Sequence, residues 1–319
     1  MESAAKLYDS ILNRRLGQWF QPDREQAGSQ RGRGCIEHIM ALRLLINFAR
    51  HKRQKLYLLF IDFSKAYDRV PRYKLLERMT SLGCGAAMTR AIAAIYTNTK
   101  MILETATITA SLGVRQGSPT SCLLFTLLVN DLIRAMKTRC APDGYLNWLH
   151  VLMMMDDTII LATTRQRMEE KARVLLDFCN QSGMLMNAAK TKFMVINGND
   201  NDQRVLKLDD IVIGNCTSYT YLGCQFTQDG NLNTAVKKQC ENKLCHVAKH
   251  EAFVTKNADA PFSIKKKVLE AALLSAILYG MESWLSPSAL NAEKPMYMQC
   301  IRSLLGVRKT TVQPLETCV

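Results

Sequence analysis

Residues 150–164 read HVLMMMDDTIILATT, in which two apolar runs flank the pair Asp156-Asp157. This pattern predicts a β-hairpin with both acids at its tip. An Asp-Asp pair is usually only a turn, but flanks as apolar as these are less usual. Carboxylates so close to an apolar core cost free energy unless a cation neutralises them. The stretch is equally compatible with a metal-binding hairpin and with an ordinary turn.

A third acid ends another apolar run. Residues 56–63, LYLLFIDF, are almost wholly apolar apart from Asp62, which predicts a strand buried on both faces with a carboxylate near its end. Three acids on adjacent strand ends suit a pair of Mg²⁺ ions, which prefer oxygen ligands and keep positions open for phosphate. Such ions can activate a primer 3′-hydroxyl. The alternative is that Asp62 simply terminates a strand.

Composition narrows the class of partner. The 319 residues are 48% apolar, enough for a sizeable core. With 42 Lys and Arg against 28 Asp and Glu, the net charge is +14, which favours nucleic acid or an anionic membrane. No long apolar segment or signal peptide is evident, so we expect an intracellular protein whose 11 cysteines are reduced.

Periodicity predicts the remaining elements. The chain to residue 55 is basic and helical in pattern, with glycines interrupting it. Apolar spacing predicts helices over 72–82, 86–97, 119–137 and 165–183, and strands over 102–109, 191–196 and 220–226. From residue 232 the pattern is helical, over 233–255, 263–279 and 290–306. The composition shift near Gly230 predicts a domain boundary.

Six segments resemble, in order, the motifs of reverse transcriptases from non-LTR (LINE-like) retrotransposons. Residues 60–71 (FIDFSKAYDRVP), 112–125 (LGVRQGSPTSCLLF) and 152–162 (LMMMDDTIILA) resemble motifs A, B and C. Residues 26–39 (QAGSQRGRGCIEHI) are similar to the fingers segment and 183–196 (GMLMNAAKTKFMVI) to motif D. Tyr221, Leu222 and Gly223 match the primer grip.

The resemblance implies an α/β (α+β) right-hand polymerase, with an antiparallel palm sheet packed on helices, fingers insertions and a helical thumb. We expect part of the fingers in residues 1–55, the palm with fingers insertions in 56–230, and a thumb-like region in 231–319. It further implies that the chain is a fragment of a larger element.

The resemblance also assigns roles near the acids. Asp62, Asp156 and Asp157 become the catalytic carboxylates that hold two Mg²⁺ ions. Lys190 would protonate the leaving pyrophosphate or offset its charge, and a solvated surface lysine is the alternative. Tyr67 would exclude a ribose 2′-hydroxyl and so select dNTPs, whereas ordinary aromatic packing is the alternative.

Five more residues are implied to bind the nucleotide. Gln116 and Gly117 fall where the family contacts the incoming nucleotide and the template; Gly allows close backbone approach and Gln both donates and accepts hydrogen bonds. Arg31 and Arg33 would clamp the triphosphate, because guanidinium matches phosphate oxygens. Lys65 would add positive charge nearby.

The predicted function is therefore RNA-directed DNA polymerisation, with an RNA template, a DNA primer or target and dNTPs as partners, no membrane, and action in the nucleus. Two alternatives stay open. Met154 stands where the family has Tyr or Phe, and Ser29 where it has an aromatic residue, so the chain can instead be an inactive nucleic-acid-binding remnant. An RNA-dependent RNA polymerase shares the palm, although Tyr67 disfavours NTP use.

Overall fold

The computed structural model of the chain describes residues 3–97, 100–102, 107–109, 111–283, 291 and 294–307. Two compact units are present, Met1–Cys216 and Thr217–Val319. The three predicted catalytic acids belong to the first unit, whereas the predicted primer-grip residues belong to the second.

The first unit combines helices with short antiparallel strands. Its helices are α1 (Ser3–Trp19), α2 (Cys35–His51), α3 (Arg72–Ser81), α4 (Ala86–Tyr96), α5 (Ser121–Arg139) and α6 (Arg165–Ser182). Its strands are β1 (Leu56–Ile61), β2 (Lys100–Ile102), β3 (Thr107–Thr109), β4 (Val151–Met154), β5 (Asp157–Ala162), β6 (Lys192–Ile196), β7 (Leu206–Leu208) and β8 (Ile211–Ile213). The predicted helices from residue 72 to residue 183 are confirmed, with ends that differ by at most two residues.

An antiparallel sheet of four strands, in the order β4-β5-β1-β6, forms the centre of this unit. All six side chains of β1 are buried, as the continuous apolar run predicted. Tyr57, Leu59 and Ile61 belong to the main core together with residues of α5 and α6. Because successive side chains of a strand point to opposite faces, the other β1 side chains lie on the second face. Helix α2 contacts β4 and β6 and covers that face.

Two predicted strands are hairpins instead. The prediction of one strand over 102–109 was wrong, since β2 and β3 pair antiparallel, while residues 103–106 lie outside the described part. The prediction over 220–226 was also wrong, because the chain reverses at Leu222 and Gly223, which both have positive φ (47° and 76°). A two-residue turn of this kind needs positive φ, and a count of apolar alternation does not register the reversal.

The second unit is a hairpin followed by helices. Its strands are β9 (Ser218–Tyr221) and β10 (Cys224–Thr227), and its helices are α7 (Leu232–Lys256), α8 (Phe262–Val268), α9 (Ser275–Leu278) and α10 (Lys294–Leu305), with a π-helical segment (Leu269–Leu274) joining α8 to α9. No helix in the described ranges is long and apolar enough to cross a lipid bilayer.

The second unit has its own apolar core, which includes Val236 and Val247 of α7, Ile277 of α9 and Cys300 of α10. Strand β10 packs on α7. The hairpin therefore belongs with the helices, and the compact units divide after Cys216, earlier than the composition shift near Gly230 suggested. The division into fingers, palm and thumb stays a prediction.

Candidate active site

The acidic hairpin has the predicted form. Met154 of β4 pairs with Asp157 of β5, so Met155 and Asp156 form the two-residue turn. Met155 has φ of 61°, a left-handed conformation that costs a non-glycine residue on the order of 1 kcal/mol. Asp156 therefore occupies the turn itself, and Asp157 opens the strand that leads back into the sheet.

The sheet register brings Asp62 to the same place. Ile61 of β1 pairs with Thr158 of β5, and continuing this antiparallel register by one residue places Asp62 across from Asp157. The segment that precedes β6 holds the backbone of Asp62 from both sides. The Asp62 N–H donates to Thr191 Oγ1 (3.2 Å), and the Asp62 carbonyl accepts from the Asn187 N–H (2.8 Å).

The three carboxylates act on one another. The pKa of Asp157 is raised from 3.8 to about 6, first by burial of its carboxyl group among protein atoms and then by the negative charges of Asp156 and Asp62. Asp157 nevertheless remains exposed to solvent, which screens part of this repulsion. The direction of the change shows that Asp62, Asp156 and Asp157 share one electrostatic environment.

This environment suits a divalent cation by its chemistry. Carboxylate oxygens are the ligands that Mg²⁺ prefers, and a bound cation would relieve the repulsion that raises the pKa of Asp157. As the side chains stand, no group of three or more His, Cys, Asp and Glu among the described residues is arranged to hold a metal ion.

A second Asp-Asp turn in the same chain provides a contrast. Asp209 and Asp210 connect β7 to β8, and both residues are exposed to solvent. No third acid is brought to that turn by the strand pairing that the structure describes. An ordinary acidic turn in this protein therefore looks different from the turn at Asp156.

An open cavity of about 450 Å³ lies beside motif A and motif B, and Tyr67, Gln116 and Gly117 are among its lining residues. Tyr67 stacks on Phe125 of α5, with ring centroids 4.5 Å apart and planes 13° apart. The Gln116 amide donates to Asp68 Oδ1 (3.2 Å). The structure therefore brings three predicted nucleotide-binding residues together around one space.

The cavity is electrostatically connected to the acidic turn through Tyr67. Burial, the thiol of Cys122 and the negative charge of Asp156 raise the pKa of Tyr67. The Tyr67 hydroxyl lies 3.8 Å from Cys122 Sγ. The phenol is therefore neutral at physiological pH, and its ring is fixed by stacking at the edge of the cavity.

A buried acid that the sequence reasoning missed supports the motif B loop. Asp9 of α1 is only 1% exposed and accepts from Thr120 Oγ1 (2.7 Å) and from the Ser118 hydroxyl. It shares the buried face of α1 with Leu12 and Leu16. An acid at helical spacing on an apolar stripe was the available signal, since such a carboxylate requires buried donors.

The four basic residues predicted to bind phosphate groups are exposed on the surface of the first unit. Arg31 and Lys65 are exposed, and Arg33 donates through Nη1 to the Arg24 carbonyl (2.8 Å). Lys190 is exposed and lies in the segment that holds Asp62, with its N–H donating to the Asn187 carbonyl (3.2 Å). Lys190 is connected to Asp62 through Asn187, whose carbonyl accepts from the Lys190 N–H and whose N–H donates to the Asp62 carbonyl.

Of the predicted primer-grip residues, Tyr221 ends β9, and Leu222 and Gly223 form the turn that leads to β10 in the second unit. The Leu222 carbonyl accepts from the Tyr279 hydroxyl (2.9 Å). Gly223 approaches the same ring so closely that a Cβ there would lie 2.8 Å from Tyr279 Cε1. The turn is therefore fixed within its own unit by one aromatic side chain.

The chain is similar to known proteins in sequence and in fold. A family model described as reverse transcriptase (RNA-dependent DNA polymerase) matches residues 1–226. The chain is 25% identical over 248 residues to the retrovirus-related Pol polyprotein from type-1 retrotransposable element R2 of Nasonia vitripennis, covering 73% of this chain and 24% of that protein. It is 22% identical over 255 residues to the corresponding polyprotein from type-2 element R2DM of Drosophila melanogaster, covering 76% of this chain and 24% of that protein.

The fold has a solved counterpart. The structure of telomerase from Candida albicans in complex with a fragment of telomeric RNA superposes with a TM-score of 0.54 at 12% identity, covering 97% of this chain and 55% of that one. At such low identity the likeness shows the fold alone, and it agrees with the predicted α/β polymerase architecture. The chain spans about a quarter of the length of the R2 polyproteins that it matches.

Proposed function

The chain belongs to the reverse transcriptase (RNA-dependent DNA polymerase) family, and on that basis we propose that it adds dNTPs to a primer 3′-end on an RNA template. The observation that carries the proposal is the meeting of Asp62, Asp156 and Asp157 at one end of the β1-β5-β4 strands, where their charges act on one another.

These three carboxylates are the residues that would hold Mg²⁺, as a pair of ions. When bound, such ions activate the primer hydroxyl and stabilise the leaving pyrophosphate in an in-line displacement. The protein's own contribution is the antiparallel pairing of β1, β5 and β4, which brings the backbone positions of the three acids to one end of the sheet.

The cavity lined by Tyr67, Gln116 and Gly117 would account for substrate choice. Tyr67, held by its stack on Phe125, presents a flat ring that leaves no room for a ribose 2′-hydroxyl and so favours dNTPs over NTPs. Gln116 and Gly117 line the same cavity and contact the incoming nucleotide and the template. Arg31, Arg33, Lys65 and Lys190 supply positive charge for the triphosphate and the leaving pyrophosphate.

The direct test is Mg²⁺-dependent primer extension on an RNA template with the full chain. We expect incorporation by the native protein and a loss of at least 100-fold in Asp156→Ala/Asp157→Ala. The matched control is Asp209→Ala/Asp210→Ala, which removes an Asp-Asp pair from the other hairpin turn and should leave the rate unchanged. Full activity in the first double variant would overturn the proposal.

The competing functions give different results in the same experiment. An RNA-dependent RNA polymerase would incorporate NTPs at least as well as dNTPs, whereas we expect NTP use to rise only in Tyr67→Ala. An inactive remnant would bind RNA in a salt-dependent way without incorporating either nucleotide.

A further inference from the structure

A segment of the fingers region pairs with the strand that leads to the acidic turn. The Ala27 N–H donates to the Met153 carbonyl (2.9 Å), and the Met153 N–H donates to the Glu25 carbonyl (2.8 Å). These bonds form an isolated parallel bridge between Gln26 and Met153. Residues 25–28 therefore lie along the outer edge of β4, which ends at the turn formed by Met155 and Asp156.

The side chain of Gln26 continues this pairing into the turn. Gln26 is fully buried, and its Oε1 accepts from both the Met155 N–H (3.0 Å) and the Gly28 N–H (2.8 Å). Because two donors face the same oxygen, the orientation of the amide group is fixed. The backbone N–H of the turn residue that precedes Asp156 is thereby held by a side chain 129 residues away in sequence.

The nitrogen of the Gln26 amide makes no hydrogen bond to the described groups. This nitrogen, Nε2, is buried, and an unsatisfied buried donor destabilises a folded protein. A side chain selected by folding energy alone would be better without this donor. The two hydrogen bonds made by Oε1 are what distinguishes Gln26 from an apolar residue of the same shape.

Gly28 completes the contact from the other side. A Cβ at Gly28 would lie 2.2 Å from Met155 Sδ and 2.8 Å from both Met155 Cγ and Gln26 Oε1, so a larger residue requires these side chains to shift. The same sulfur accepts from Thr126 Oγ1 of α5 (3.5 Å) and is 3.8 Å from Ser29 Oγ. The Met155 side chain is thus enclosed between the fingers segment and α5, which restrains a turn that needs positive φ.

We infer that Gln26 is a positioning residue: through Oε1, and together with the space left by Gly28, it fixes the turn that presents Asp156 and Asp157. Its effect on catalysis rests on the proposed function, whereas its effect on the turn does not. Because displacement of catalytic groups by about 1 Å can cost about 100-fold in rate, loss of the two hydrogen bonds should lower the maximal rate of nucleotide incorporation by about 10- to 100-fold.

The decisive variant is Gln26→Met, which keeps the shape of the side chain but has no acceptor. We expect the maximal rate to fall by that factor and the KM for dNTP to stay within about twofold. The melting temperature should fall moderately, because removal of the unsatisfied Nε2 offsets only part of the cost of leaving the Met155 and Gly28 N–H groups without an acceptor. The matched control is Gln30→Met in the same loop. Gln30 donates to the carbonyls of Asp23 and Gln26 but does not touch the turn.

Hydrogen exchange provides a readout that does not need activity. In a peptide covering residues 153–158, the Met155 amide should exchange at least 10-fold faster in Gln26→Met than in the native chain or in Gln30→Met. If the native chain polymerises and both glutamine variants behave alike in rate and exchange, the inference is wrong. If the native chain does not polymerise but the exchange difference appears, the proposed function fails and the positioning of the turn stands.

A rescue experiment tests the contact between Gly28 and Met155. Gly28→Ala should lower the incorporation rate and deprotect the turn, because the new methyl group displaces the Met155 side chain. Adding Met155→Ala removes the two Met155 atoms that collide but leaves Gln26 Oε1 2.8 Å from the new methyl group, so the double variant should recover part of the lost rate. A double variant no better than Gly28→Ala alone would show that the glycine acts elsewhere and would overturn this part of the inference.

Discussion

Replacement of Asp157 by Asn should stabilise the protein while it destroys the response to Mg²⁺. Burial, and after it the negative charges of Asp156 and Asp62, raise the pKa of Asp157 from 3.8 to about 6. Fully expressed, that difference corresponds to about 3 kcal/mol of unfavourable interaction for the ionised folded protein. Because Asp157 is exposed, screening reduces the expected gain from Asp157→Asn to about 1 kcal/mol.

The pH dependence of this gain has a definite sign. The folded protein binds the proton of Asp157 more tightly than the unfolded chain, so its stability falls as pH rises from about 4 to about 6. Above pH 6 the cost is fully present, and below pH 4 it disappears. Asp157→Asn should therefore raise the melting temperature by about 2–4 °C at pH 7.5 in EDTA and by much less at pH 4.

Thermal unfolding with and without Mg²⁺ is the measurement. A cation that binds only the folded protein raises the melting temperature of the native chain, and this rise should be small or absent in Asp157→Asn. The matched control, Asp210→Asn, changes an exposed acid in the turn between β7 and β8 and should alter neither quantity. A lower melting temperature of Asp157→Asn in EDTA at pH 7.5 would refute the reasoning about repelling carboxylates.

Three further outcomes can be measured by unfolding. Lys171→Met should destabilise the first unit by about 3–5 kcal/mol, because it leaves Asp143 without its buried partner. Lys171 Nζ lies 2.5 Å from Asp143 Oδ2, and both side chains are at most 1% exposed. Adding Asp143→Leu should recover part of the lost stability. Gly223→Ala should destabilise the second unit by about 1–3 kcal/mol, since φ is 76° and the methyl group would meet the Tyr279 ring; Tyr279→Ala should relieve only the collision. Burial lowers the pKa of His150 to about 4, so unfolding free energy should decrease as pH falls from about 6.5 to 4, and His150→Leu should flatten that part of the pH profile.

The helices and the central strands could be predicted because their signals are local. The buried run at β1, the apolar spacing of α3 to α6 and the hairpin around Asp156 each depend on side chains within a few positions of one another. The hairpin at Leu222 was misread as a strand because positive φ, not hydrophobic alternation, marks its turn.

The candidate site was predicted only as a set of acids and motif residues. Their order along the chain was sufficient to indicate the family, and the structure places Tyr67, Gln116 and Gly117 around one cavity. The residues that hold the site were missed. Gln26 and Asp9 act through partners more than 100 positions away, and no local pattern records which distant backbone groups a buried side chain will meet.

By itself the sequence determined the helices between residues 72 and 183 and the buried strand β1, because periodicity is a property of short stretches, and the order of its motifs indicated the family. Tertiary structure decided the register that carries Asp62 to Asp157, the support of the acidic turn by Gln26, and the division of the chain after Cys216. These depend on which buried surfaces and hydrogen-bonding groups of distant segments complement one another, and that complementarity exists only once the chain has folded.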